Sequence, residues 1–143
     1  MAGLNRRTYR ALVLVAGRGQ GLTIVLPQPL SLWGGLNPDT GEIIDRRHPS
    51  SGEIIRGRVL VLPAGRGSSS ASSILLEAVR QGTAPTAIIT AEPDPILALG
   101  AAVAREMYDT APPVVVLDAD DYAQLQSGQR IIVDALGTIT IEA

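Results

Sequence analysis

Several side-chain types are missing from this chain or scarce in it. None of its 143 residues is cysteine, which excludes disulfide bonds, thiolate catalysis and an iron–sulfur cluster held by the chain's own thiolates. A single histidine gives the chain too few nitrogen ligands for a transition-metal site of its own. We therefore expect no metal ligands in this chain.

Aromatic residues make up only 3% of the chain, and phenylalanine is absent. The core must then be built from Val, Ile, Leu and Ala, and a composition of 45% hydrophobic and 18% charged residues is typical of a compact α/β domain. The net charge is −2 and the basic residues are scattered, so nucleic acid is not an expected partner. The length favours a single domain over residues 1–143.

Long hydrophobic runs are also lacking, whereas a membrane-spanning helix needs about 20 apolar residues. The apolar run at 11–16 is too short for a secretory signal and lies between Arg10 and Arg18. We interpret it as part of a first β-strand. We expect the protein to be cytoplasmic and to make no contact with a membrane.

The first half of the chain is rich in β-forming residues. Short runs at 9–15 and 22–26 are predicted strands, and Pro27 and Pro29 end the second of them. The sequence NPDTG at 37–41 predicts a tight turn between two extended arms. We expect antiparallel pairing in this half.

The second half alternates strands with helices. Strands are predicted at 59–62, 87–90, 114–117, 130–133 and 138–141, with helices at 72–81 and 96–107 and a short one after residue 118. The alternation indicates parallel crossovers. The predicted architecture is α/β, with one mainly parallel sheet covered by helices and one antiparallel sheet.

Both main helices carry terminal signals. Gly82 is suited to the C′ position of the first, while Asp94 and Pro95 are suited to the N-cap and the first turn of the second. The second helix is apolar nearly all round. We therefore expect it to be buried.

The sequence VLPAGRGSSSASSILLEAV, at 61–79, leads from a strand into a helix through two glycines. Glycine permits close backbone approach, and the free amides of a helix N-terminus attract anions, to which Arg66 could add a charge. One serine at 69 or 70 would cap the helix, yet five of the six residues 68–73 are serine. The pattern favours a small-anion site, with a solvated polar loop as the alternative.

Two nucleotide-binding fingerprints are not met by this loop. A GxGxxG motif would need glycine where Ser70 stands, and a Walker motif would need GKS or GKT. A serine-hydrolase triad would have to use His48, which no motif spacing supports.

The segment 34–104 resembles the small subunit, or swivel domain, of the aconitase X family. The likeness is most specific in GG(x)4TG(x)3D(x)2HP from residue 34, in the GRGSS loop, and in EPDPILALGA from residue 92. The resemblance implies a three-layer swivelling β/β/α domain and hydro-lyase activity. It also implies a heterodimer with a larger aconitase-like subunit, which would hold an iron–sulfur cluster or another metal centre and without which this chain would be inactive.

The resemblance assigns roles to residues 65–70, which form the loop between the predicted strand and helix and are called the serine loop below. Ser68 would be the catalytic base, in alkoxide form, at the carbon next to a substrate carboxylate. Ser69 and the amides of Gly67 and Ser70 would hold that carboxylate, with Arg66 as a further contact. In aconitase an arginine follows the second serine, whereas Ser70 stands here, so substrate recognition is expected to differ.

Two kinds of family member fit, namely dehydratases of cis-3-hydroxy-L-proline and of mevalonate 5-phosphate. The GRGSSS loop and the EPD run favour the first. A non-catalytic carboxylate-binding or assembly module is the alternative from another functional class.

Two further side chains are candidates. His48 could contact the substrate, because histidine exchanges a proton near neutral pH, or it could face solvent in a polar loop. Trp33, beside two glycines, could line the site, anchor the large subunit, or lie partly buried in the core.

Overall fold

A computed structural model of the chain describes residues 6–66 and 69–142. Its strands are β1 (Arg6–Arg10), β2 (Leu12–Val15), β3 (Gly19–Val25), β4 (Leu36–Asn37), β5 (Glu42–Ile43), β6 (Val59–Leu62), β7 (Ala87–Thr90), β8 (Val114–Val116), β9 (Arg130–Val133) and β10 (Thr138–Glu142). The helices are α1 (Ala71–Gln81), α2 (Pro95–Tyr108) and α3 (Ala119–Tyr122). None of these helices has the length and apolar character needed to cross a bilayer.

Eight strands are hydrogen-bonded side by side in the order β1-β10-β9-β3-β6-β7-β8-β2. Residues 19–22 of β3 pair with β9 in an antiparallel sheet that also contains β10 and β1. Residues 23–25 of β3 pair in parallel with β6, which continues through β7 to β8, and β2 closes the edge as an antiparallel strand. Strand β3 therefore belongs to both sheets.

The predicted strand at 9–15 is in fact two strands that belong to different sheets. β1 pairs with β10, while β2 pairs with β8, and Ala11 lies between them. The Ala11 amide donates to the Gly137 carbonyl at 2.8 Å. A Cβ on Gly137 would lie 2.6 Å from Val13 Cγ2. Because glycine has no side chain, the segment that passes from β1 to β2 can lie directly against residue 137.

The domain has two hydrophobic cores, one between the two sheets and one between the parallel sheet and the helices. Between the two sheets lie Val59, Val61, Ala87, Ile89 and Val115 of the parallel sheet and Ile131, Val133, Ile139 and Ile141 of the antiparallel one. On the other face of the parallel sheet, Leu60, Leu62, Ile88 and Val114 pack with Leu75, Leu97 and Ala101 of α1 and α2. β6 and β7 are buried on both faces, which explains why every residue in them except Thr90 is apolar. The predicted three-layer β/β/α architecture is confirmed.

The segment between β3 and β6 forms a small hairpin, β4–β5, on the helical side of the domain. Its turn is the predicted one. Asn37 Oδ1 accepts from the Asp39 amide at 2.9 Å, and the Gly41 amide donates to the Asn37 carbonyl at 2.8 Å. Gly41 has a φ of 80°, a conformation that glycine adopts without strain.

The expectation that α2 is buried is wrong for one of its faces. Leu97, Ala101 and Ala104 are buried, whereas Leu99 is 54% exposed and Met107 is 60% exposed. The reason is architectural, because the helices form a single layer and nothing in the described residues covers the outer face of α2. A helix with apolar residues all round still buries only the faces that meet the sheet and α1.

Candidate functional site

A cleft with a volume of about 260 Å³ opens beyond the carboxyl ends of β6 and β7. The loop after β6 contributes Gly65 and Arg66, and the loop after β7 contributes the segment around Asp94. Leu30 and Leu32, from the chain that follows β3, form another wall. This edge of a parallel sheet is where α/β proteins usually bind ligands.

Asp94 connects the two loops that form the cleft. As predicted, it is the N-cap of α2, and its Oδ1 accepts from the amides of Ile96 and Leu97 at 3.0 Å each. Its Oδ2 also accepts from the Gly65 amide at 2.6 Å. The carboxylate, only 7% exposed, thus ties the start of the serine loop to α2.

Sequence reasoning missed this second contact of Asp94. A signal for it is the glycine at 65, because a Cβ there would collide with Asp94 Oδ2. Leu30 forms a parallel bridge with Gly65. Gly65 is thus held by two segments that are distant in the sequence.

The N-terminus of α1 lies at the other end of the serine loop. Ser70 is its N-cap residue, in a helical conformation (φ −62°, ψ −18°) and with no side-chain capping hydrogen bond, and the first turn contains no acidic residue. The hydroxyls of Ser72 and Ser73 donate to the carbonyls of Ser69 and Ser70, both at 2.7 Å. Two of the five serines are therefore bonded back into their own helix.

The serine loop is only partly described by the structure. Arg66 is exposed and lines the cleft, and Ser69 and Ser70 are exposed just before α1. Gly67 and Ser68 lie outside the described residues. The catalytic role of Ser68 and the substrate contacts of the other loop residues stay predictions.

His48 is buried, at 6% exposure, so the solvent-facing alternative is wrong. The Ser50 amide donates to its Nδ1 at 3.0 Å, and its Nε2 lies 3.1 Å from the Gln28 carbonyl oxygen. The neutral ring with its proton on Nε2 satisfies both contacts. His48 thereby ties the loop at 45–52 to the segment that leads into Leu30, while a contact with substrate stays a prediction.

Trp33 is 61% exposed, which makes the partly buried core position wrong. It directly follows Leu32, which lines the cleft. The indole therefore lies at the surface, open to a ligand or to another chain.

Large pKa shifts arise elsewhere in the fold. On α1, hydrogen bonds from Arg80 and Gln81 lower the pKa of Glu77 to about 2. Burial raises the pKa of the Tyr122 hydroxyl to about 12. The cause of the first is the close pair formed by Arg80 Nε and Glu77 Oε1, 2.5 Å apart.

The ligands available in this chain do not fit an iron–sulfur cluster. The sequence contains no cysteine, and the residues at 6–66 and 69–142 contain no group of three His, Asp or Glu side chains that could hold a metal.

The chain is similar in sequence to several known dehydratases. It is 50% identical over 104 residues to the cis-3-hydroxy-L-proline dehydratase of Pseudomonas aeruginosa, covering 73% of this chain and 18% of that protein. It is 39% identical over 132 residues to the Hypocrea jecorina enzyme of the same name, covering 92% and 22%. The chain spans about a fifth of the length of these two relatives.

A third relative has a similar length to this chain. The phosphomevalonate dehydratase small subunit of Thermococcus onnurineus is 37% identical over 122 residues, which cover 85% of this chain and 88% of that protein.

Solved structures and a family model agree with these relatives. The crystal structure of Thermococcus kodakaraensis aconitase X in its holo-form has a TM-score of 0.84 and 33% identity, covering 94% of this chain and 98% of that one. A solution NMR structure of a UPF0107 protein has a TM-score of 0.81 and 32% identity, covering 93% and 97%. Residues 8–141 match the model of the aconitase X swivel domain. The chain therefore belongs to the aconitase X swivel domain family.

Proposed function

We propose that this chain is the small subunit of a heterodimeric hydro-lyase that dehydrates cis-3-hydroxy-L-proline, with Ser68 as the base. The observation that carries the proposal is the cleft between the Gly65–Arg66 loop and Asp94, at the sheet edge from which the serine loop leads into α1. The choice of substrate is supported by the 50% identity to the Pseudomonas aeruginosa dehydratase.

The chemistry needs a site that attracts a carboxylate and activates a serine. The amides at the N-terminus of α1 and the guanidinium of Arg66 favour an anion, so the substrate carboxylate would bind there. A serine hydroxyl is a weak base, and the same positive field would favour its alkoxide. The Ser68 alkoxide would take the proton from C2 and become a hydroxyl, while the C3 hydroxyl would take a proton from solvent and leave as water. A C2–C3 double bond would form, and Ser68 would then return its proton to solvent.

A larger subunit would complete the enzyme. The chain corresponds to about a fifth of the hydroxyproline dehydratases, so the remaining parts of such a site must come from elsewhere. We infer a heterodimer in the cytoplasm, in which the partner holds an iron–sulfur cluster or another metal. Residues 1–143 would be one domain of that assembly.

The second candidate function is that of a phosphomevalonate dehydratase small subunit. It is supported by relatives of that name that are matched over most of their own length, 88% in Thermococcus onnurineus and 94% in Thermococcus sibiricus. In that case the same cleft would bind mevalonate 5-phosphate.

The test is the dehydration of both compounds by this chain co-expressed with an aconitase-like large subunit from the same genome. Turnover of cis-3-hydroxy-L-proline that is lost in Ser68→Ala, while the complex still forms, is the expected result. The matched control is Ser73→Ala, because the Ser73 hydroxyl is bonded to the Ser70 carbonyl and its loss should leave the activity unchanged.

Each other outcome would correct a different part of the proposal. Turnover of mevalonate 5-phosphate alone would select the second candidate function. Full activity in Ser68→Ala would exclude Ser68 as the base. Activity of this chain without a large subunit would exclude the proposed dependence on that subunit. A complex that is inactive on both compounds would favour a non-catalytic carboxylate-binding or assembly module.

A further inference from the structure

The carboxylate of Asp94 makes more contacts than an N-cap requires. Capping α2 uses one oxygen, Oδ1, which accepts from the amides of Ile96 and Leu97. The other oxygen, Oδ2, reaches across to the Gly65 amide at 2.6 Å. A serine, threonine or asparagine could cap the helix, but only a carboxylate offers two oxygens that both accept.

The surroundings of this contact make it costly to lose. Asp94 is 7% exposed, so an amide that loses the carboxylate there is only partly compensated by water. Gly65 has no room for a side chain on the Asp94 side, and it bridges to Leu30 as well. The backbone at residue 65 is therefore held in one place by two neighbouring segments.

We propose that Asp94 is a positioning residue that fixes the start of the serine loop. This inference rests on the proposed function, in which the loop binds and deprotonates the substrate. Arg66 directly follows the residue that Asp94 holds, and Ser68 is three residues beyond it. The oxygen that caps α2 and the oxygen that holds Gly65 belong to one rigid group, so the backbone at Gly65 is held in a fixed position relative to α2.

Two substitutions separate the positioning role from capping. Asp94→Ser keeps a good N-cap oxygen on a side chain too short to reach Gly65. Asp94→Asn keeps the size of the side chain but leaves one accepting oxygen, which cannot serve both α2 and Gly65. The matched control is Asp118→Asn, because Asp118 caps α3 through the Asp121 amide at 2.9 Å.

The first measurement is amide hydrogen exchange in the full chain, followed by NMR. In Asp94→Ser and Asp94→Asn, exchange at Gly65 should become about tenfold faster or more, as expected for the loss of a hydrogen bond to a charged group. In Asp94→Ser, the amides of Ile96 and Leu97 should stay protected. In Asp118→Asn, exchange at Gly65 should equal that of the unsubstituted chain, and unchanged exchange in both Asp94 variants would overturn the inference.

The second measurement is dehydration by the complex with the large subunit. In both Asp94 variants kcat should fall by about 10²-fold, and by more than KM rises, because the reacting group is displaced while the complex still forms. A loss of activity no greater than in Asp118→Asn would overturn the positioning role. A complex that is inactive before substitution would contradict the proposed function instead. The exchange rate at Gly65 would then be the only test of whether Asp94 holds the Gly65 amide.

Discussion

Helices α1 and α2 pack side by side over the parallel sheet, but their N-termini are built differently. α2 begins with Asp94 in an extended conformation, with Pro95 following and a carboxylate bonded to the first free amides. α1 begins with Ser70 in a helical conformation, without a side-chain capping bond and without an acidic residue in the first turn.

The difference shows how one domain can use the same feature in two ways. The N-terminus of a helix carries a partial positive charge and attracts anions. In α2 the chain supplies the anion itself, through Asp94, and the result is local rigidity. In α1 the first turn contains no acidic residue, which is compatible with the proposed binding of a substrate carboxylate there.

The largest expected effect comes from breaking the contact between the two loops. Gly65→Ala places a Cβ against Asp94 Oδ2, which should lower the free energy of unfolding by about 1–3 kcal/mol. It should also lower kcat of the complex by about 10²-fold, because the serine loop moves. Denaturant unfolding and steady-state kinetics measure the two effects.

A double variant controls for the collision in Gly65→Ala. Adding Asp94→Ser removes the carboxylate that the new methyl group meets, so stability should recover in part while kcat stays low. Recovery of kcat in the double variant would contradict the importance of the contact.

A smaller effect should follow from making α1 resemble α2. Ser70→Asp places a carboxylate near the N-terminus of α1, which should stabilise the helix by about 0.3–1 kcal/mol. The same charge should repel a substrate carboxylate and raise KM by about tenfold or more. Thermal unfolding and substrate titration measure the two, with Ser70→Asn as the uncharged control, and a lower stability together with an unchanged KM would contradict the comparison.

The smallest expected effect concerns the exposed ion pair near the C-terminal end of α1. The pKa of Glu77 is lowered from about 4.5 to about 2, chiefly by its hydrogen bond to Arg80. A lowered pKa stabilises the fold above about pH 4.5, and this contribution is lost as the pH falls through about 2. Glu77→Gln should therefore be slightly destabilising at pH 7, and by less as the solution is acidified.

Urea unfolding at a series of pH values measures this effect, with Glu106→Gln on the exposed face of α2 as the control. Because the pair is exposed to solvent, added salt should reduce the difference. A difference that grows on acidification would show that the pair is not its cause.

The strands and helices of the second half could be predicted from the sequence because local signals decide them. β6, β7 and β9 have the predicted bounds, since each contains a short run of β-forming apolar residues. Asp94 caps the start of α2 and Gly82 caps the end of α1, both as expected, because helix caps are determined by a few neighbouring residues.

The features that the sequence did not reveal all depend on distant contacts. The division of residues 9–15 into β1 and β2 depends on Gly137, and the exposed face of α2 depends on how many layers cover it. The burial of His48 depends on Gln28. The contact between Asp94 and Gly65 joins positions 29 apart in the sequence, which no local pattern encodes.

The strand shared by the two sheets determines how this domain can move. β3 hydrogen-bonds to β9 along one half and to β6 along the other, so neither sheet can separate without breaking the edge of its neighbour. The sheets are therefore expected to lack a hinge between them and to unfold together. Any swivelling would then move the whole domain, with its cleft, as one rigid body.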